Sequence, residues 1–127
     1  MLFSHNGEIN KYFNDNWMDT PIQYEGIRFD TPTDGKWISL QVHPYGREEQ
    51  TFGKGVRKEK GLLKVFVYET SATLAYELAS QVDTFIAETF ISKIFIDVGS
   101  PDGQGAEALK DGIFEVLLNF EMTLIEK

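Results

Sequence analysis

Chemistry in this chain would have to come from very few residues. The two histidines, His5 and His43, lie far apart in sequence with no second ligand at metal-site spacing, and cysteine is absent. That removes thiolate nucleophiles, cysteine-based zinc sites and disulfide staples. Asp30 with Asp34 and Asp97 with Asp102 are the carboxylate pairs that could divide acid and base roles. Each pair sits beside turn residues, where aspartate commonly caps backbone amides instead. Gly53-Lys54-Gly55 and the stretch Gly99 to Gly105 have the glycine content of a phosphate cradle, but neither opens a helix after a strand with the required spacing, and no Gly-Lys-Ser/Thr step follows. The residues predict no catalytic group, no metal and no cofactor: a protein that is not an enzyme.

A non-enzymatic chain must act through its surface, so its body and its charge come next. The 127 residues fit one domain, residues 1–127, since a chain of this size buries roughly two-thirds of its unfolded surface. A hydrophobic fraction of 42%, including ten Phe, five Tyr and two Trp, is enough for a packed core and excludes wholesale disorder. Met1-Leu2-Phe3-Ser4-His5-Asn6 has neither a basic nor an apolar leader pattern, and no apolar run reaches about 18 residues. Neither export nor membrane spanning is expected. Absence of cysteine fits a reducing cytoplasm as the place of synthesis.

Net charge is -8, a field that keeps the chain soluble and repels nucleic acid. Its distribution is uneven. Between residues 47 and 60 lie Arg47, Lys54, Arg57, Lys58 and Lys60 against Glu48, Glu49 and Glu59, a local +2 that leaves -10 on the remainder. One short basic segment therefore sits on an acidic body.

Periodicity supplies the elements. Ile9, Tyr12, Phe13 and Trp17 fall at helical spacing within 6–17, with Ser4 or Asn6 as N-cap. Thr20-Pro21 stops that helix, and Ile22 to Phe29 alternates across Gly26 as a short bulged edge strand. Thr31-Pro32-Thr33-Asp34-Gly35 is turn chemistry; Trp37 to His43 then alternates as a strand. Gly61 to Tyr68, apolar almost throughout, reads as a central strand. Tyr45 to Lys60 between them, with Gly46, Gly53, Gly55 and alternating charges, reads as a long polar hairpin arm, part strand and part mobile loop.

Glu69-Thr70-Ser71-Ala72 offers N-caps for a helix over 72–88, where Leu74, Leu78, Val82, Phe85 and Ile86 recur at intervals of three and four, and Ala75 and Ala79 permit close approach to a sheet. Ile94 to Val98 is a further strand, Gly99 to Gly105 an acidic glycine-rich loop, and 112–125 a long final strand with Phe114, Val116, Leu118, Phe120, Met122 and Leu124 on one face. This order predicts an α+β fold: a mostly antiparallel twisted β-sheet with two α-helices packed on one face and a long β-hairpin arm. Trp37 and Phe114 read as core.

The arm is the candidate interaction surface. A solvated hairpin with positive charge can pair with an acidic neighbour, and Tyr45 and Phe52 on it are large apolar groups of the kind buried in a partner. The interface candidates are Tyr45, Arg47, Phe52, Lys54, Val56, Arg57, Lys58 and Lys60. Lys54, Arg57 and Lys58 could also meet phosphates, but such binding would oppose the net charge and no nucleic-acid motif accompanies them.

Thr20-Pro21-Ile22 with Tyr24 and Phe29, followed by Asp34-Gly35-Lys36-Trp37-Ile38, resembles the opening of the bacteriophage tail terminator and tail-completion family. Gly53-Lys54-Gly55-Val56-Arg57-Lys58-Glu59-Lys60-Gly61, running into Leu62 to Tyr68, is similar to that family's glycine and arginine arm feeding a strand. Thr73, Ala75, Leu78, Ala79, Val82 and Phe85 match its long helix, and Gly112-Ile113-Phe114-Glu115-Val116 with Phe120 its last strand, so that the resemblance spans about residues 8 to 124. It implies a virion assembly protein at the head-proximal end of the tail. Such a subunit forms a ring with itself, usually a hexamer, sits on the last tube ring, stops tube polymerisation and presents a surface to the head-tail connector proteins. DNA would be passing cargo only. A neck subunit of the head-tail connector is the neighbouring reading, and a small ligand-binding α+β domain the reading from another class.

Overall fold

The computed structural model describes residues 6–50, 56–89, 91, 94–96, 102–109 and 112–126. Helix α1 spans Asn6–Asn16. Ile9 and Phe13 are fully buried and Trp17, one turn on, is 5% exposed, as a four-residue apolar spacing requires. The helix stops where the Trp17 indole N–H donates to Thr20 Oγ1 at 2.9 Å and Pro21 follows.

The chain then forms a short strand, β1 (Ile22–Tyr24), parallel to the first part of β2 (Trp37–Gln50), with Ile22 opposite Ile38. The edge strand expected to reach Phe29 is cut short. Gly26 takes φ +74° and the Ile27 amide donates to the Tyr24 carbonyl at 3.3 Å, a turn that ends the ladder. Phe29 lies outside any strand, with its ring 6.2 Å from that of Trp37.

Strand β2 pairs antiparallel with β3 (Val56–Glu69), and β3 with β6 (Phe114–Glu126). Between β3 and the end of the chain come α2 (Ala72–Ala87), β4 (Ile94–Ile96) and β5 (Asp102–Ala108). The spatial order is β1-β2-β3-β6-β4, and β5 also pairs with β6, beside residues 114–119 where β4 lies beside 122–124. This is the α+β architecture with a mostly antiparallel sheet, β1 against β2 being the parallel pair. From Asp102 the segment expected to be loop is strand, because β6 is long enough to hold two partners end to end on its outer side. Asp97, Val98 and Gly99 lie outside the described residues.

Ser71 caps α2, its Oγ accepting from the Leu74 amide at 3.1 Å. Ala75, Leu78, Ala79, Val82 and Ile86 form its buried face, and the two alanines bring the helix down onto the sheet. Across the strands the register lines up Ile38, Val67 and Val116, then Leu40, Val65 and Leu118, then Val42, Leu63 and Phe120. These rows make the face that joins α2 and the α1 residues Ile9, Phe13 and Trp17 in one core. Each large side chain buried there contributes about 1.5–3 kcal/mol. Trp37 is also buried, at 8% exposed, but on the opposite face, in the row with Tyr68 and Glu115.

Candidate functional site

Strands β2 and β3 run past the helix-covered body as one ladder. Residues 46–50 pair with 56–60, and β6 continues beside them to Glu126. The arm is strand over residues 46–50 and 56–60, and residues 51–55, where a mobile loop is expected, lie outside the described residues; a register shift between Pro44 and Gly46 marks its base. At that point two residues of β2 face one of β3, which bends a strand and increases its twist.

The register explains the alternating charges. Arg47 stands opposite Glu59, Glu48 opposite Lys58, and Glu49 opposite Arg57, which on its other side faces Glu126. Opposite charges at directly facing positions stabilise a hairpin by about 0.2–1 kcal/mol per pair. Three of the basic positions read from sequence as an outward surface thus stand opposite acidic positions of the same arm in the strand register. Glu59 is buried at 7% exposed, and both it and Lys60 are engaged in interactions of their own. Of the remaining candidates, Tyr45 and Val56 are strand positions, while Phe52 and Lys54 lie outside the described residues in the connection between the two strands.

The positions that could have carried chemistry are occupied otherwise. Asp34 Oδ1 accepts the Lys36 amide at 3.2 Å, a turn cap, and Asp30 stands 4.0 Å from Arg28 at a fully solvated surface. His43 Nε2 is 3.0 Å from Gln41 Oε1. His5 and Asp97 lie outside the described residues. Among the described residues no group of three or more His, Cys, Asp or Glu could hold a metal ion, and no helix is long and apolar enough to cross a membrane.

Two further surfaces emerge only from the tertiary structure. Where α1 ends beside the last turns of α2, a groove of about 430 Å3 opens, lined by Trp17, Met18, Asp19, Thr84, Phe85 and Glu88 among others. Phe85 is its hinge: its ring lies 5.7 Å from Tyr12, 4.9 Å from Phe13 and 5.2 Å from Trp17, the last edge-on. Met18 is 77% exposed at the rim. Helical spacing marks Trp17 and Phe85 as core positions; that the two helix ends meet has no local signal in the sequence.

The second surface is the sheet face turned away from the helices. There Trp37 and Tyr68 stack with centroids 4.3 Å apart and planes at 16°. Burial raises the Tyr68 phenol above its ordinary pKa, and its hydrogen bond to the Glu115 carboxylate and that group's negative charge raise it further. Phe66, Leu117 and Leu62 continue this face, half-buried.

The architecture is a small α+β fold: a mostly antiparallel sheet with one helical layer and a β2–β3 ladder that continues beyond Val42 to Gln50 and Val56. No family model and no curated protein matches the chain in sequence. Its fold is found in solved structures. One chain, known by a sequence label alone, superposes with TM-score 0.64 at 14% identity over 91% of this chain and 92% of its own. Another, from the virion of a native gene transfer agent particle, superposes with TM-score 0.58 at 12% identity over 95% of this chain and 94% of its own. At these identities the likeness is one of fold.

Proposed function

We propose that the chain is a structural component of a phage-like virion, and more specifically a tail terminator: a subunit that rings the end of the tail tube, ends its polymerisation and offers the head-joining surface. The observation that carries this reading is the near end-to-end agreement of fold with a chain of a gene transfer agent virion, 95% of one and 94% of the other. The features that make the resemblance in sequence also occupy defined places: the Trp37-led strand is β2, and the segment after the glycine-rich connection enters β3.

Physical considerations favour the same reading. A ring subunit needs a rigid body and a projecting element to reach its neighbour in a head-to-tail contact that closes on itself. Here the helix-covered sheet would be the body, and the β2–β3 ladder beyond Val42 would be the element that reaches a neighbour. An acidic chain of net charge -8 suits a channel wall past which DNA must slide without sticking. No catalytic step is part of the proposal. In this role the chain would meet itself, the tail tube protein and the head-tail connector.

The test is electron microscopy of the purified protein mixed with polymerising tail-tube subunits. Tubes arrested in length and carrying a terminal ring are the expected result. Tubes of unchanged length together with binding to capsid connectors would replace the terminator role with a neck role, and binding to neither would overturn the virion reading.

A further inference from the structure

We propose that the groove between the ends of α1 and α2 docks on the open sheet face of a second copy of this chain, seating Met18 on Phe66 and Leu117 and setting Asp19 and Glu88 around Lys64. This inference rests on the ring-subunit reading and names a contact between neighbours beside that of the ladder.

The groove is chemically one-sided. Its lining includes two carboxylates, Asp19 and Glu88, and no basic residue, around a floor of Trp17 and Phe85. Met18 stands at the rim, 77% exposed, an unbranched apolar side chain able to fit an irregular surface. A large apolar group so exposed beside two carboxylates calls for a partner that brings apolar area and a cation.

The open sheet face has both. In the strand register Lys64 stands between Gln41 and Asn119, neutral on either side, and its neighbours on the same side of β3 are Leu62 and Phe66. Leu117 faces Phe66 from β6. Among the described residues Lys64 makes no ion pair. The nearest β6 acids of this face are Glu115, which is hydrogen-bonded to Tyr68, and Glu121, opposite Leu62 in the next row. Half-buried Leu62, Phe66 and Leu117 give the Lys64 stem an apolar bed, from which its ammonium can reach outward to a partner's carboxylates.

The occupant is a second copy because the two surfaces match in charge and apolar content and cannot meet within one chain. The groove belongs to the helical layer, where Trp17 and the buried residues of α2 join the core, and Lys64 lies on the other side of the same sheet. Each copy thus offers a groove on one side and a face on the other. The contact is head-to-tail, groove of one copy on the face of the next, which is the geometry that builds rings.

Charge exchange tests this directly. Lys64→Glu alters the sheet face alone; Asp19→Lys with Glu88→Lys alters the groove alone, at two exposed positions, and melting curves check that both variants stay folded. The readout is the protein concentration that rings half of the tube ends in electron micrographs. Each variant alone should need at least roughly tenfold more protein than wild type, since like charges then face each other. An equimolar mixture should recover, because the acidic face of one variant meets the basic groove of the other and the reverse contact is also matched. The chain has no cysteine, so a mixture of Met18→Cys and Leu117→Cys copies on tube ends should give dimers with a short bismaleimide, and neither variant alone should. Charge variants that ring tubes at the wild-type concentration, a mixture that fails to recover, or rings without the 18–117 crosslink would each overturn the proposal while leaving the ring reading intact. Wild-type protein that forms no ring on tubes would remove both.

Discussion

Glu25, in the turn after β1, reaches the outer edge of β2, where its Oε1 accepts the Val42 amide at 3.1 Å. Earlier on the same edge the Ile38 amide is taken by the Pro21 carbonyl at 3.2 Å. The next position in that phase after Val42 is Pro44, which has no N–H to offer. Two successive devices beyond β1, a carboxylate and a proline, thus deny the edge to an incoming strand just where β1 runs out. Glu25→Ala should expose the Val42 donor, lower stability by about 1 kcal/mol and promote edge association, seen as a shift in the urea midpoint and as concentration-dependent sedimentation. Glu25→Gln keeps an acceptor and should retain most of both properties.

Tyr68 makes stability depend on alkaline pH. Its phenol titrates above the ordinary value of 10.0 in the folded chain, through burial first and the Glu115 carboxylate second. The unfolded chain therefore loses this proton at lower pH than the folded one. The contribution is fully present below pH 10 and is lost as pH rises from there toward the folded value, because ionisation favours the unfolded state. Tyr68→Phe keeps the stack on Trp37 and removes both the hydrogen bond and the titration. Its unfolding free energy should be about 1 kcal/mol lower at neutral pH, and it should fall less steeply than wild type between pH 9.5 and 11 (roughly spanning the tyrosine range) in parallel urea titrations.

Phe85 ties α1 to the rest of the molecule. It meets three aromatic rings of α1 and its end, none farther than 5.7 Å. Phe85→Ala should cost about 3 kcal/mol, near the lower end for aromatic truncation because the ring is only half-buried. The same change empties the floor of the groove. Undocking of α1 would appear as a red shift of Trp17 fluorescence, and Phe85→Leu should recover a large part of the loss.

Periodicity in sequence reached far because most elements are amphipathic in isolation. The α1 spacing of Ile9, Phe13 and Trp17, the α2 face from Ala75 to Ile86 and the alternation along β6 each need one partner surface, and each is visible within its own segment. Strand β5 was not visible: Asp102 to Ala108 is glycine-rich and acidic, and its pairing comes from β6 leaving an edge free, which no local pattern reports. The arm shows the same limit for a candidate site. Arg57 and Lys58 read as free positive charge until the register sets Glu49 and Glu48 opposite them. Asp19 and Glu88, 69 positions apart, belong to one groove only because two helix ends converge.

Gly35 and Gly112 share a left-handed backbone, φ +70° and +72°, but not their surroundings. A Cβ at Gly35 would come within 2.8 Å of Ile113 Cδ1 and 3.0 Å of Thr70 Cγ2, whereas one at Gly112 would meet nothing within 4 Å. Gly112→Ala should cost the backbone term alone, about 1 kcal/mol. Gly35→Ala should cost that and the displacement of Ile113, about 2–3 kcal/mol in all. Thermal melts of the two single variants check the ordering.

The ladder registers also decide how the arm responds to charge reversal. Arg57→Glu with Lys58→Glu puts like charges opposite Glu49, Glu48 and, across β3, Glu126. Facing like charges destabilise a ladder by amounts comparable to what opposite charges contribute, so the double variant should lose about 1–2 kcal/mol. Any loss of ring assembly in it therefore has two sources, a frayed arm and an altered contact. Adding Glu48→Lys and Glu49→Lys restores opposition within the β2–β3 ladder and separates them. If the arm contributes to ring contacts through its fold and not through these two charges, the fourfold variant should regain both stability and rings on tube ends. Recovery of stability without rings would mean that the charges of Arg57 and Lys58 themselves touch the partner.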